Sequence, residues 1–526
     1  MAEESAPPYL EVYLGFALLL WVWETYLDLR QLKKNQEKER PEEIKDLVTA
    51  DRFEKSQVYQ VDKLRFKILS SIIGLVENAV EVVWLWPMIW GFSKTLVGTN
   101  EYWRSITWQL LVSMVGLPIS IPMDLYKDFV LEERHGFNKK TLKLFVTDFL
   151  QSTGLSVVFT IILVPIVIYV IKWGGDKFYL YMWAVAQILI FIFMFIYPTV
   201  IMPLFNKFET LKDEDLRKRI EDLASQLKYP LSKLFQMDGS ARSSHSNAYL
   251  YGFGNNKRIV LFDTLLQTQV NLTIEAGKDF GAKMTLGQGT LKLSDLGSKE
   301  SAVGKWNEVH EGRLDEIKEG DNVVAVKIGG SKEESAVSAE VKEELDKYLE
   351  EAVASKGGSL IMIFDRKPYS TEEILAVLCH EIGHWFHSHV LRMMIFSSVH
   401  IFVLFRLYGF TMYSGDLFQS FGFDREERSI MVGLSIFMLM FTPVEAVVSM
   451  VMTLLVRSNE YQADDFAIKQ KRAKELETGL RKLCIQNLGD LNPDWLYAWF
   501  HHSHPGLVER LRNIREKDAT INKKAE

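Results

Sequence analysis

Residues 380–384 read His-Glu-Ile-Gly-His. Two histidines four apart on a helix lie on one face, one turn apart, so both imidazoles reach a single ion. Apolar Ile374, Leu375, Val377 and Leu378 lead into them, and the spacing predicts a helix over 372–390. Glu381, next to the first histidine, projects toward a water on that ion and is the candidate general base. Zinc suits such nitrogen donors when a fourth position stays open, and it lowers the pKa of its water to about 7. The predicted cofactor is therefore one zinc ion per chain, held by His380 and His384, and the predicted chemistry is peptide hydrolysis. The pentapeptide alone also arises by chance on amphipathic helices, so a third ligand is required. Glu460, in Ser458-Asn459-Glu460-Tyr461-Gln462-Ala463-Asp464, is the candidate. A solvated carboxylate is the commoner role for a lone helical glutamate. Asp464, one turn further on, is placed to accept a hydrogen bond from a ligand histidine. His387 and His389 are weaker candidates; a surface position suits His387 better.

The elements that must position these residues are mostly apolar. Residues 9–200 and 395–456 hold nearly all the long apolar runs, and the rest is charged. A bilayer core of about 30 Å needs roughly 20 helical residues. Seven spans are predicted, near 9–29, 68–92, 107–125, 155–173, 179–204, 395–413 and 429–456, the second and third interrupted by polar residues and prolines. Lys33, Lys34, Lys38, Arg40, Lys45, Arg52 and Lys55 crowd the first loop; Lys127, Arg134, Lys139, Lys140 and Lys143 crowd the third. The positive-inside rule makes those loops cytoplasmic, the N-terminus lumenal, and 207–394 and the C-terminus cytoplasmic. Glu460 then emerges on the same side as the His380 helix. Lys523-Lys524-Ala525-Glu526 fits a di-lysine retrieval signal, which points to the endoplasmic reticulum. Glu24, Glu77, Glu81, Asp124, Arg406 and Glu445 fall inside spans and must face protein or water.

The 526 residues carry a net charge of −7 with no basic arm, so no nucleic-acid partner is expected. Cys379 and Cys484 are the only cysteines, too few for a disulfide framework. The first apolar run has no basic region before it and no small-residue cleavage site, so it reads as a span rather than a signal peptide.

The order of short motifs resembles the Ste24-type CAAX prenyl proteases, integral-membrane zinc endopeptidases of the M48 class. The matches run through Trp23-Glu24-Thr25-Tyr26-Leu27, Phe53-Glu54-Lys55-Ser56, and Glu132-Glu133-Arg134-His135-Gly136-Phe137-Asn138. They continue in Ser243-Ser244-His245-Ser246-Asn247-Ala248-Tyr249, Arg258–Leu265, the His380 helix, Glu460–Asp464 and His502-Ser503-His504-Pro505. The resemblance implies an all-α polytopic fold of seven helices around a large water-filled chamber, with a cytosolic zinc-protease domain. It implies cleavage near the C-terminus of prenylated C-a-a-X proteins, in some members with a second, upstream cut. By the same resemblance Asn247 binds substrate backbone beside the metal, His504 stabilises the oxyanion and Arg510 stands close by. The segment Asn247–Tyr251, with Ala248 and Tyr249, would be an edge strand that pairs with an extended peptide.

Between Leu266 and Thr371 the chain departs from that pattern. Strands are predicted over 270–274, 282–286, 323–326 and 359–364, and a helix over 341–353. The order resembles a PDZ domain, with Lys278-Asp279-Phe280-Gly281 as carboxylate-binding loop and Gly312-Arg313-Leu314…Glu319-Gly320-Asp321 as a second signature. Such a module would bind a peptide terminus or strand; a charged spacer tethering the catalytic helix is the alternative. The expected organisation is 1–206, five spans and their loops; 207–266, first protease part; 267–370, inserted PDZ-like module; 371–394, the His-Glu-x-x-His helix; 395–456, two spans; and 457–526, the remaining protease part and tail. A broader membrane quality-control protease, and a metal-free holding protein, are the competing functions.

Overall fold

The computed structural model describes residues 7–45, 48–266 and 367–525, and between them the backbone of strands within 268–366. Helix α1 (Tyr9–Lys34) is followed by α2, a 48-residue run (Ala50–Val97) that loosens into a π turn at Glu81–Leu85. Next come α3 (Glu101–Val115) and α4 (Leu117–Glu132), meeting at 41°. The predicted span 107–125 straddles this bend. Gly116 and the following Pro118 explain it, since proline cannot donate the backbone hydrogen bond that would continue α3.

Helices α5 (Leu142–Gly174) and α6 (Phe178–Ile196) fold back at Gly174-Gly175, which brings Phe159 within 5.3 Å of Phe193, ring to ring. Among the described residues, five runs are long and apolar enough to cross a membrane, or six counting the bent pair. One of the five, Leu142–Phe205, contains this hairpin.

At most 22 % of each apolar window is buried within the protein. A tight bundle hides a broad stripe of every helix; these helices pack through clusters such as Val164, Ile168 and Tyr408 but leave many apolar side chains exposed. Leu19, Val22, Trp84, Leu150, Ile188 and Val447 are among the exposed large apolar residues. Several of the predicted intramembrane charges find partners: Glu24 lies 3.0 Å from His501 and Glu445 3.0 Å from His400, while Arg406 stacks on Phe410. At one end, Glu427 joins Lys94 (2.6 Å) and Arg104 (2.7 Å), and Arg104 also lies flat on Trp90.

Beyond the apolar region lies a four-stranded sheet, ordered β1-β2-β4-β3: β1 (Phe208–Thr210), β2 (Leu231–Met237), β3 (Ala248–Phe253) and β4 (Asn256–Phe262). The β3–β4 turn requires glycine at 252, where φ is +112° and a Cβ would lie 2.1 Å from the Asn256 carbonyl oxygen. Helix α7 (Glu214–Gln226) packs Leu216, Ile220 and Leu223 on the same core as Ile259 and Leu261.

A second sheet holds β5 (Thr268–Glu275), β6 (Ala282–Gly287), β7 (Thr290–Leu296), β8 (Asn322–Ile328), β9 (Ser335–Ala336) and β10 (Ser359–Arg366). All its pairings are antiparallel, in the order β5-β10-β8-β7-β6 with β9 on β8. Four of these strands coincide with predicted ones; β7 and β9 were not foreseen. The predicted helix over 341–353 and both PDZ signature segments lie outside the described residues. Strand β5 runs beside β10 from Thr268↔Arg366 to Glu275↔Ser359, so the chain enters and leaves this sheet through one two-strand stem.

The remaining helices are α8 (Thr371–Phe386), α9 (His389–Thr411), the 40-residue α10 (Ile430–Lys469), α11 (Ala473–Gln486), α12 (Trp495–His501) and α13 (Leu507–Ala525).

Candidate active site

Helix α8 begins on a capping box. Ser370 Oγ accepts from the Glu373 N–H (3.3 Å), and the Glu373 carboxylate accepts from the Ser370 N–H (2.8 Å). Leu375, Leu378 and Ile382 are fully buried, each stabilising this docking by about 1.5–3 kcal/mol. Against α10 the contact is backbone to backbone. A Cβ on Gly383 would lie 3.0 Å from Phe466 Cβ and 3.1 Å from Ala463 Cα. A side chain there would crowd the joint, and this close approach carries Glu460 up to the two histidines.

The donor atoms converge. His380 Nε2 and His384 Nε2 are 3.1 Å apart, and Glu460 carboxylate oxygens lie 3.5 and 3.3 Å from them. Ligands about 2 Å from a tetrahedral ion stand roughly 3.3 Å from one another, so these three atoms have the spacing of a metal face. Glu460 is only 3 % exposed, and its Oε2 has no hydrogen-bond partner. That buried oxygen stands 3.5 Å from His380 Nε2 and from Arg510 Nη1, too far for a good hydrogen bond to either, and an ion on the donor face would satisfy it. Burial disfavours the charged form of His380, yet the neighbouring Asp464 and Glu460 carboxylates prevail and push it up to about 9. The local field thus favours positive charge.

Around the donors one side is closed. Asp464, fully buried, accepts from His380 Nδ1 (2.9 Å), which leaves Nε2 free for an ion. Arg510 grips Asp464 with two hydrogen bonds (3.0 and 2.7 Å) and places Nη1 3.5 Å from Glu460. Glu381 sits among these groups, and burial raises its carboxyl above the usual range. The other side is open. His504, 64 % exposed, brings Nε2 within 3.3 Å of Glu460 Oε1.

The open side faces a cavity of about 970 Å³, lined by His380, Glu381, His384, Glu460 and strand β3 and walled by Met194, Leu391 and Met394. Among the described residues strand β3 pairs with β4 alone, which leaves its other edge unpaired there. Asn247 stands exposed at its start, its side chain accepting from the Ala248 N–H (2.8 Å). Ala248 is buried in the core beneath. Tyr249 alternates to the other face of the strand, its hydroxyl toward Met202 and Met237, and it too lines the cavity. The strand's start is braced by two sequence motifs. Phe137 stacks on His245 at 4.2 Å, and Asn487 bonds both backbone groups of Ser246 (3.0 and 3.2 Å).

Among the sequence-predicted residues, Asn247, Ala248, Tyr249, His380, Glu381, His384, Glu460, His504 and Arg510 all line this one cavity, and Asp464 is buried behind His380. Two others were undervalued or missed. His389 was a weaker candidate, and it is 3 % exposed with Nδ1 2.9 Å from His384 Nδ1. Tyr229, which no motif marked, lines the cavity edge-on to Trp385.

Comparison with known proteins gives a consistent match. The family model for the CAAX prenyl protease N-terminal region, with five membrane helices, matches residues 28–207. The model for peptidase family M48 matches 210–276 and 336–518. The CAAX prenyl protease 1 homolog of Arabidopsis thaliana is 34% identical, over 98% of this chain and 99% of the relative. The Homo sapiens homolog is 33% identical, over 95% and 94%. The crystal structure of S. mikatae Ste24p superposes with a TM-score of 0.74 at 30% identity, covering 97% of this chain and all of the other.

Proposed function

Given that the chain belongs to the CAAX prenyl protease family of M48 metallopeptidases, and is thus a multi-pass membrane metalloendopeptidase, we propose that it uses zinc to cut prenylated C-a-a-X proteins near their C-terminus. The observation that carries this reading is the convergence of His380, His384 and Glu460 beside the unpaired edge of β3, at one apolar-walled cavity.

His380, His384 and Glu460 would hold the ion. When bound, zinc would activate a water and polarise the scissile carbonyl. The chain's own residues supply the rest. Strand β3 pairs with the extended substrate, and Asn247 engages its backbone next to the reacting bond. Glu381 takes the proton of the attacking water and passes it to the leaving amine. Its raised proton affinity suits both transfers. His504 reaches in from the open side to hydrogen-bond the developing oxyanion. Arg510 and Asp464 keep His380 in the tautomer that presents Nε2.

Seven crossings, with the protease parts and both stem ends cytoplasmic and the N-terminus lumenal in the endoplasmic reticulum, remain part of this reading. The α5–α6 hairpin and the bent α3–α4 pair support the count, and the sparse burial of the spans supports an internal chamber. A glycan on the Asn271-Leu272-Thr273 sequon would overturn the orientation. The all-antiparallel second sheet supports a β-rich module as a peptide-binding, PDZ-like site.

The test is cleavage of a farnesylated C-a-a-X peptide and of its unprenylated twin by zinc-loaded protein, with Glu381→Ala as control. The expected result is strong preference for the farnesylated peptide and no cleavage by the variant. Backbone pairing along β3 reads no side chains, which also favours a quality-control protease; equal cleavage of both peptides would select that function.

A further inference from the structure

The two histidine ligands have different supports. His380 rests on a carboxylate. His384 Nε2 faces Glu460 and the other imidazole, and with an ion held there its lone pair is taken up and its proton sits on Nδ1. That N–H points at His389 Nδ1, 2.9 Å away. His389 Nδ1 must therefore accept, which puts the His389 proton on Nε2. Nε2 in turn meets the Gln462 carbonyl oxygen at 3.4 Å, and that oxygen also accepts from Arg392 (3.1 Å). The Gln462 amide nitrogen donates to Ser458 Oγ (3.3 Å), which fixes the amide's orientation. Each donor and acceptor in the chain from Arg392 through Gln462 and His389 to His384 has one consistent assignment.

His389 reaches this place by a break in the helix. Five residues beyond His384, a continuing helix would carry it well off the ligand face. Ser388 adopts a left-handed conformation (φ +54°), ends α8 and swings the start of α9 back over His384.

We propose that His389 is a positioning residue that locks His384 in its metal-binding tautomer and orientation, using a neutral acceptor where His380 uses an anion. The proposal rests on the zinc reading above. A carboxylate on His384 as well would push more electron density onto the ligands and blunt the ion as a Lewis acid. The neutral imidazole aims the ring without that cost.

Zinc affinity of the purified full chain, measured by competition with a chelator, tests this alongside the unfolding temperature of the metal-free protein. His389→Leu fills the space without an acceptor and is expected to weaken zinc binding by about 10–100-fold, with the metal-free unfolding temperature unchanged. His389→Asn sets an amide oxygen where Nδ1 stood and is expected to recover affinity to within a few fold. Gln462→Ala releases the far end of the chain and is expected to show a smaller loss. Zinc bound as tightly by His389→Leu as by the unaltered chain, or as weakly by His389→Asn as by His389→Leu, overturns the proposal. Should His389→Leu not fold, unchanged affinity in Gln462→Ala overturns it. Failure of the unaltered chain to bind zinc overturns the zinc reading instead.

Discussion

The metal site has a closed side and an open side, built on opposite terms. On the closed side His380, Asp464 and Arg510 are all less than a tenth exposed, and a cation lies between two carboxylates. On the open side His384 is about a quarter exposed and His504 is largely in solvent, both turned toward Glu460, while the far nitrogen of His384 meets the imidazole of His389. Buried charges hold the donors still; the exposed imidazoles stand at the cavity. Changes on the closed side should therefore cost stability and metal together, and a change at exposed His504 should cost turnover alone.

The largest expected effect is on the closed side. Arg510→Met leaves the Asp464 and Glu460 carboxylates without their cation, a loss of about 3–5 kcal/mol. Thermal unfolding should show it, together with loss of bound metal; retention of both would abolish the distinction between the two sides. On the open side, His504→Ala should lower kcat by about 10²–10³, the usual cost of an oxyanion donor, with zinc content and unfolding temperature unchanged. A fall in zinc content would make His504 part of the metal's support.

Gly383→Ala tests the joint between the helices. The new Cβ meets the Ala463 backbone, which cannot move aside, so destabilisation of about 1–3 kcal/mol and weaker metal binding are expected. The smallest effect lies far from the site. Lys94 and Arg104 hold the Glu427 carboxyl down to about 2, against an ordinary value of 4.5. Its folded pKa is depressed, so its contribution is present above about 4.5 and lost as pH falls toward about 2. Glu427→Gln should flatten stability against pH in that window and leave peptide cleavage at neutral pH unaltered.

The ligands were legible because their relation is local. His380 and His384 are fixed by one helical turn, and Asp464 follows Glu460 by another. The spans were legible as apolar runs, but the bend at Gly116 and the π turn at Glu81 depend on backbone detail that hydropathy does not record. His389 was hard to read because its position depends on a single left-handed residue, Ser388, and not on periodicity. A serine in that conformation is uncommon, and nothing in its type announces it. Asn247, Arg510 and His504 are far from the histidines in sequence and entered only by resemblance. The direction of the Tyr249 side chain followed from strand alternation once Ala248 was known to face the core. Strand β7 was overlooked although Leu291 and Leu293 alternate with Lys292 and Ser294; the alternation is short and ends at Asp295.

Helix α10 also acts as a ruler. Its apolar stretch ends at Val456, and Glu460 follows four residues later on the same unbroken helix. At 1.5 Å per residue the interval is about 6 Å. An extended peptide advances about 3.3 Å per residue, so that height corresponds to roughly two residues of substrate. A lipid anchor seated in the apolar layer would register a bond within about two residues of its attachment point against the metal. Distance from the membrane would then select the cleavage position, with no side chain of the substrate being read.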